Sequence, residues 1–258
     1  MRIALLIFLS VFACRAQLPV VQLPQFVLSS VPPSPPSNVD NTIEFWWVSS
    51  DMATNITVTN WIDRIRSSTW TNISTATTCP TNSSSGVHFL ASNSQRLTNS
   101  TAVPINTSGS TDTNSWWIII NMDTVNTSPD WLSQTPTGPG SPTMGHLSGS
   151  PYTYDGTTLA QDGNISAGHY VDVCLTSTSG SGHSAPHNVT FYTNGIPSNT
   201  NTLTSIATSV QLKCLGGDTV NGFYNGYIVE LAVYSNTLSS VTVSNLHRYA
   251  TNLYKFTP

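Results

Sequence analysis

Charge is what this sequence has least of. Asp, Glu, Lys and Arg make up 8% of its 258 residues, against roughly 25% in an ordinary soluble protein. Lysine is represented by Lys213 and Lys255 alone, and glutamate by Glu44 and Glu230 alone. The net charge is −4 and no basic cluster exists. Nucleic acid is therefore excluded as a partner, because phosphate must be neutralised by clustered Lys and Arg. No Cys-x-x-Cys pair is present, so a cysteine-based zinc site is not supported. No Gly-x-Ser-x-Gly elbow is present to activate a serine between strand and helix. His183 and His187 stand four apart, but Pro186 and the Gly-Ser context make them a solvated loop pair rather than metal ligands. Apolar runs are short, and none approaches the roughly 20 residues that span a bilayer.

What fills the gap is Ser, Thr and Asn, with seven Trp among them. Such a surface keeps its solubility through hydroxyls, amides or attached glycans. Residues 1–16 read as a signal peptide: Arg2, then the apolar run Ile3 to Ala13, then Cys14-Arg15-Ala16 as the cleavage site before Gln17. The mature chain is thus expected outside the cell, with no membrane insertion once the leader is removed. Residues 17–41 form a Pro-rich arm. Its second half, Val31-Pro-Pro-Ser-Pro-Pro, predicts extended polyproline. Its first half carries Val20, Val21, Leu23, Phe26 and Leu28, which a plain spacer would not need. These residues are expected to pack on the arm's own domain or to add a strand to a neighbour, building an assembly.

From residue 42 onward the pattern is β. Ile43–Val48, Val87–Leu90, Ser115–Ile120, Tyr170–Leu175, Val189–Tyr192, Ser209–Leu215 and Tyr227–Tyr234 read as strands. Ser115–Ile120 is apolar on both faces. Asn194-Gly195 is a hairpin turn. Leu238, Val241, Leu246, Tyr249 and Leu253 recur at helical spacing, with Ser239 or Ser240 to cap them. Residues 126–164 are the most loop-like stretch. The fold class is all-β, a two-sheet sandwich with a short C-terminal helix, in one domain over residues 42–258. Export leaves Cys79, Cys174 and Cys214, of which two can pair. If Val171, Val173 and Leu175 face the core, Cys174 faces away, and Cys214 on a later strand is the first choice of partner.

His169-Tyr170-Val171-Asp172-Val173, Phe191-Tyr192-Thr193-Asn194-Gly195, Leu215-Gly216-Gly217 and Phe223-Tyr224-Asn225-Gly226-Tyr227-Ile228-Val229-Glu230 follow one another in order. Asn60-Trp61-Ile62-Asp63-Arg64 and Val87-His88-Phe89-Leu90 precede them. Over residues 42–254 this pattern resembles the laminin-G-like branch of the concanavalin-A-like lectin/glucanase superfamily. The resemblance implies a jelly-roll sandwich and a range of roles from glycan binding and adhesion to glycan cleavage. It places Glu230 as a structural carboxylate near Trp61 or Asp63. The glucanase relatives carry Glu-x-Asp-x-x-Glu on one strand, and nothing here matches it. Retaining cleavage needs two carboxylates about 5 Å apart. The chain is therefore expected not to be an enzyme, and glycoside hydrolysis is the least favoured alternative.

A sugar site needs an aromatic face and hydrogen-bonding groups. Trp131, Tyr152, Tyr154 and Asp155 supply both in the loop-like stretch, and are the candidate ligand-binding residues. Asp155-Gly156 and Asp162-Gly163-Asn164 could contribute to a calcium site, but their simpler role is to form turns, and no cofactor is expected. Asn55, Asn72, Asn82, Asn99, Asn106, Asn126, Asn164 and Asn188 begin Asn-x-Ser/Thr triplets and are candidate glycosylation sites. About six such triplets would arise by chance in so Ser-, Thr- and Asn-rich a chain. The expected function is a structural or adhesive subunit of an extracellular assembly, with copies of itself or other extracellular proteins as partners. The alternative is a lectin with glycans as ligands.

Overall fold

A computed structural model describes residues 35–72, 79–104, 114–124, 130–133, 143–154, 159–178, 187–203, 211–218, 222–254 and 256. The signal peptide and the arm residues Val20, Val21, Leu23, Phe26 and Leu28 lie outside them. The strands are β1 (Ile43–Val48), β2 (Ile56–Thr57), β3 (Asn60–Ile62), β4 (Thr69–Thr71), β5 (Thr81–Ser83), β6 (Gly86–Phe89) and β7 (Leu97–Pro104). They continue as β8 (Asn114–Met122), β9 (Asp130–Ser133), β10 (Thr143–Leu147), β11 (Ser150–Tyr154), β12 (Leu159–Gln161), β13 (Tyr170–Thr178), β14 (His187–Thr193) and β15 (Ile196–Leu203). β16 (Gln211–Leu215), β17 (Gly217–Asp218), β18 (Gly222–Phe223) and β19 (Gly226–Tyr234) complete them. One sheet runs β15-β14-β13-β8-β19-β6-β5-β2, with β1 also paired to β19; the other runs β12-β11-β10-β9-β16-β7-β4-β3. All pairings between these strands are antiparallel. The protein is a two-sheet antiparallel jelly-roll sandwich, closed on one side by a C-terminal helix.

Strand alternation explains where the tryptophans go. Trp47, Trp61, Trp70, Trp116 and Trp131 point between the sheets and join Phe45, Phe89, Phe191 and Leu231 in the central core. Trp46 and Trp117, one residue out of phase, point to the far face of the first sheet. Both members of each Trp pair are therefore buried. Each large apolar side chain removed from water contributes roughly 1.5–3 kcal/mol, so β8, covered on both faces, is a main anchor of the fold.

The cover on the far face is α2 (Ser240–Tyr254). Ser239 caps it: its Oγ accepts the Thr242 N–H at 3.1 Å, as N-cap serines do. Val243, Leu246, Tyr249 and Ala250 face the sheet, whereas Val241 and Leu253, counted on the apolar face by spacing, are exposed. A single helical turn, α1 (Pro36–Val39), sits beside it. Pro35 keeps polyproline dihedrals (φ −61°, ψ 160°), but Pro36 is buried and its carbonyl accepts the Tyr234 hydroxyl. Pro36 thus belongs to the helical turn rather than to the polyproline run, whose residues 31–34 lie outside the described residues.

Two expectations are corrected. Residues 126–164 hold four strands, β9 to β12, rather than a long loop. Several of their polar residues, Asp130, Ser133, His146 and Thr153, are buried, and a register shift between Met144 and Gly145 breaks the alternation that marks a strand. The Cys174–Cys214 bridge is absent. Cys174 is a free thiol in β13 of the first sheet, turned toward α2, and Cys214 lies in β16 of the other sheet. A bridge requires Cα atoms within about 7 Å, and stacked sheets stand roughly 10 Å apart. Burial and the neighbouring Asp172 push the Cys174 thiol well above its usual range. Cys174 is expected to stay unmodified when folded protein meets iodoacetamide and to label once urea is added, as read by peptide mass. Labelling of Cys174 at full rate in the native state would contradict its placement.

Candidate functional site

The residues singled out in sequence are mostly structural. Trp131 is fully buried, and its Nε1 donates to His146 Nδ1 at 3.1 Å. Tyr152 is buried, and its hydroxyl donates to Asp130. Neither ring is an open platform for a sugar. Tyr154 ends β11, its side chain outside the described residues, as is Asp155. Asp162 works as a turn residue: Oδ1 accepts the Gly163 N–H at 2.6 Å and Oδ2 accepts the Asn199 N–H at 2.8 Å. Among the described residues no group of three or more His, Cys, Asp or Glu converges to hold a metal.

The glutamates do not form a catalytic pair. Glu230 lies opposite Val48 in the β1–β19 ladder, and Glu44 is four residues earlier in β1, about 13 Å along the strand. Glu230 is completely buried beneath α2. It accepts Trp46 Nε1 at 3.0 Å and the Tyr249 hydroxyl at 3.1 Å, and the Tyr254 hydroxyl as well. These are its neighbours in place of the expected Trp61 and Asp63. Burial raises its pKa, against the pull of the three donors and the Arg64 guanidinium. Asp63 instead caps its own turn by accepting the Arg66 N–H and ties that turn to β1 by accepting the Trp46 N–H.

Another buried carboxylate, Asp172, stands out in the structure and not in the sequence. Asp172 in β13 is fully buried; its Oδ1 meets His247 Nδ1 at 2.6 Å and its Oδ2 accepts Trp117 Nε1 at 3.1 Å. Spacing gave no signal, because Asp172 and His247 are 75 positions apart.

Next to that carboxylate the surface opens. Residues 162–169 form a braced segment between β12 and β13. Asp162 N–H donates to Pro151 O at 3.1 Å, Ile165 N–H to Gly149 O at 2.6 Å, and Gly168 N–H to Met122 O at 2.8 Å. Ile165 is buried as its anchor, while Asn164, Ser166 and His169 are exposed. Facing them is the β14–β15 turn. Asn194 and Gly195 have φ of 53° and 72°, the left-handed pair that a type I′ hairpin turn needs. Asn194 is locked to β13: its N–H donates to Asp172 O at 2.9 Å and its Oδ1 accepts the Asp172 N–H at 3.3 Å. A side chain at Gly195 would come within 2.8 Å of His247 Cβ.

Between segment and turn lies a cleft of about 280 Å³, lined by Asn164, Ile165, Ser166, His169, Tyr170, Val171 and Asn194. Tyr170 is half-buried; its hydroxyl donates to Ser85 O at 3.2 Å and its ring stacks with Phe256 at 6.2 Å. The lining residues thus bring two amides, a hydroxyl, an imidazole and a phenol to one cleft, and the phenol ring also packs against Phe256 and Tyr254. None of the described lining residues is Asp, Glu, Lys or Arg.

The eight sequons separate by environment. Asn82 Nδ2 donates to the carbonyls of Ser49, Met52 and Ala53, and Asn99 Nδ2 donates to Ser68 Oγ, both inside the protein. A glycan there is incompatible with the fold. Asn72 is half-buried against Cys79. Asn55, Asn164 and Asn188 are exposed, and Asn106 and Asn126 lie outside the described residues.

No protein-family model matches the chain, and no curated protein matches it. Solved structures do. The Trypanosoma rangeli sialidase superposes with a TM-score of 0.57 at 14% identity, over 83% of this chain and 34% of the sialidase. The same sialidase in complex with sialic acid gives 0.55, again at 14% identity over 83% and 34% of the two chains. A mutant of it displaying trans-sialidase activity gives 0.56 at the same identity and coverage. This chain spans about a third of the sialidase's length. Identity this low shows a shared fold and nothing finer, and nothing in it singles out the laminin-G-like branch. The matches nonetheless overturn the expectation that the chain is not an enzyme: chains of this fold belong to glycan-acting enzymes, and the missing carboxylate motif did not exclude that company. No helix among the described residues is long and apolar enough to cross a membrane.

Proposed function

We propose that the chain is an extracellular carbohydrate-recognition sandwich that holds a neutral saccharide in the cleft between residues 164–170 and Asn194. The cleft itself carries this reading. It joins an aromatic ring to amide and hydroxyl groups, and amides match sugar hydroxyls because they both donate and accept. Binding pockets of this type place a few fixed polar groups on an apolar base. The fold, shared with a sialidase solved in complex with sialic acid, supports a carbohydrate ligand. The lining supports a neutral one. A carboxylate sugar is typically gripped by a charge-assisted Arg or Lys, and the described lining offers neither.

A panel of neutral and sialylated oligosaccharides titrated calorimetrically tests it. Saturable binding of neutral members is expected, with sialylated ones at least tenfold weaker. His169→Ala is expected to weaken binding about five- to tenfold, since one lost hydrogen bond is worth about 1 kcal/mol. Tyr170→Leu is expected to abolish it. Preference for sialylated members, or indifference to both substitutions, would refute the assignment.

A further inference from the structure

Two of the cleft's lining residues, Asn164 and Ser166, are the first and third members of one sequon, Asn164-Ile165-Ser166. We propose that Asn164 is N-glycosylated and that its first sugar residues fold back into the cleft, so that the protein's own glycan occupies the site and sets its availability to outside saccharide. This rests on the carbohydrate reading of the cleft and on export of the chain by its leader.

Three observations carry it. The Asn164 side chain is exposed, unlike the fully engaged amides of Asn82 and Asn99. The backbone that presents it is fixed on both sides, by Ile165 N–H on Gly149 O at 2.6 Å and by Gly163 N–H on Asp162 Oδ1 at 2.6 Å. The direction in which a sugar leaves Asn164 is therefore restricted. Finally, Asn164 belongs to the wall of the cleft, so a sugar joined to Nδ2 begins its path at the cleft rather than reaching it across the surface. A tethered ligand of short reach acts at an effective concentration on the order of millimolar. That suffices to compete with free saccharide in an open, shallow site. Asn55 and Asn188, the other exposed described sequons, do not line the cleft and have no such role.

The test compares full-length chain secreted from a glycosylating eukaryotic host, fed ¹³C-labelled N-acetylglucosamine, with the same chain made without glycosylation. Peptide mass after enzymatic release in ¹⁸O water reads occupancy. Nuclear Overhauser contacts from the labelled sugar read its position. Asn164 is expected to be occupied, with contacts from its first sugar to the Tyr170 ring. The glycosylated form is expected to bind the best neutral oligosaccharide of the panel at least tenfold more weakly than the unglycosylated form. An unmodified Asn164, or an occupied one whose sugars show no contact with Tyr170, overturns the proposal. Equal affinity of the two forms overturns the regulatory part. If the unglycosylated chain binds no saccharide while the contacts to Tyr170 are seen, the glycan contact stands and the outside ligand falls.

Discussion

Between pH 6.5 and pH 4 the folded protein is expected to lose about 3 kcal/mol of stability through one residue, His146. His146 lies on β10 with no exposed surface, packed against Trp131 and Tyr224 in the core. Trp131 Nε1 donates to its Nδ1, which fixes the neutral tautomer with the proton on Nε2. Nε2 has no partner among the described residues. Burial therefore pushes the pKa down from 6.5 to about 4. The native state binds fewer protons than the unfolded state across that window, so stability is full above pH 6.5 and falls progressively toward pH 4. Glu230 acts with the opposite sign. Its raised pKa means the native state holds a proton more firmly, so its contribution grows as pH falls through that value and is lost as pH rises. His146→Gln, which keeps an acceptor for Trp131, separates the two. Urea unfolding at pH 7 and pH 4 is expected to show the variant with a loss about 3 kcal/mol smaller than the parent's. Equal losses in the two proteins would contradict the neutral core histidine.

Removing Glu230 is expected to cost more than any surface change. Glu230→Ala leaves Trp46 Nε1 and the hydroxyls of Tyr249 and Tyr254 facing a buried void without their acceptor. Truncating one partner of a buried, hydrogen-bonded charged group costs about 3–5 kcal/mol. For a chain of this size each kcal/mol shifts the melting temperature by about 2–4 °C, so a fall on the order of 10 °C is expected in thermal unfolding. Glu230→Gln should fall by less, because it keeps one accepting oxygen and removes the charge that burial disfavours. The near-ultraviolet signal of Trp46 and Trp117, both beneath α2, should weaken in the alanine variant as the helix loosens. A change below about 1 kcal/mol would mean that the Glu230 hydrogen bonds contribute little to holding α2.

The two ends of the sequence signal explain what could be read from it. Strands buried on both faces, β8, β13 and β19, are runs of Trp, Ile, Val and Leu and stand out. The edge strand β15, Ile-Pro-Ser-Asn-Thr-Asn-Thr-Leu, does not, because its edge meets water, and the β9–β12 meander does not, because it buries polar residues such as Asp130, Ser133, His146 and Thr153 that a strand pattern does not announce. The helix was legible from its cap and from Leu246 and Tyr249, while Val241 and Leu253 show that spacing alone overcounts the buried stripe. The cleft was the least legible part. Asn194-Gly195 was visible as a turn and Tyr170 as the start of a strand, but their meeting with Asn164 depends on the packing of β12 against the β13–β15 hairpins. Composition drew attention instead to Trp131 and Tyr152, whose rings serve the core. Large aromatics are more often buried than displayed, and the fold follows that tendency here.

The central claim is that saccharide binds at Tyr170. A crystal structure of the unglycosylated chain, soaked with the neutral oligosaccharide of highest affinity, tests it most directly. The account predicts a sugar ring against Tyr170, with hydrogen bonds to the side chains of Asn164 and Asn194 and to His169. A sugar bound elsewhere, for example at Tyr154 and Asp155 beyond the end of β11, with the Tyr170 cleft holding only water, would contradict it.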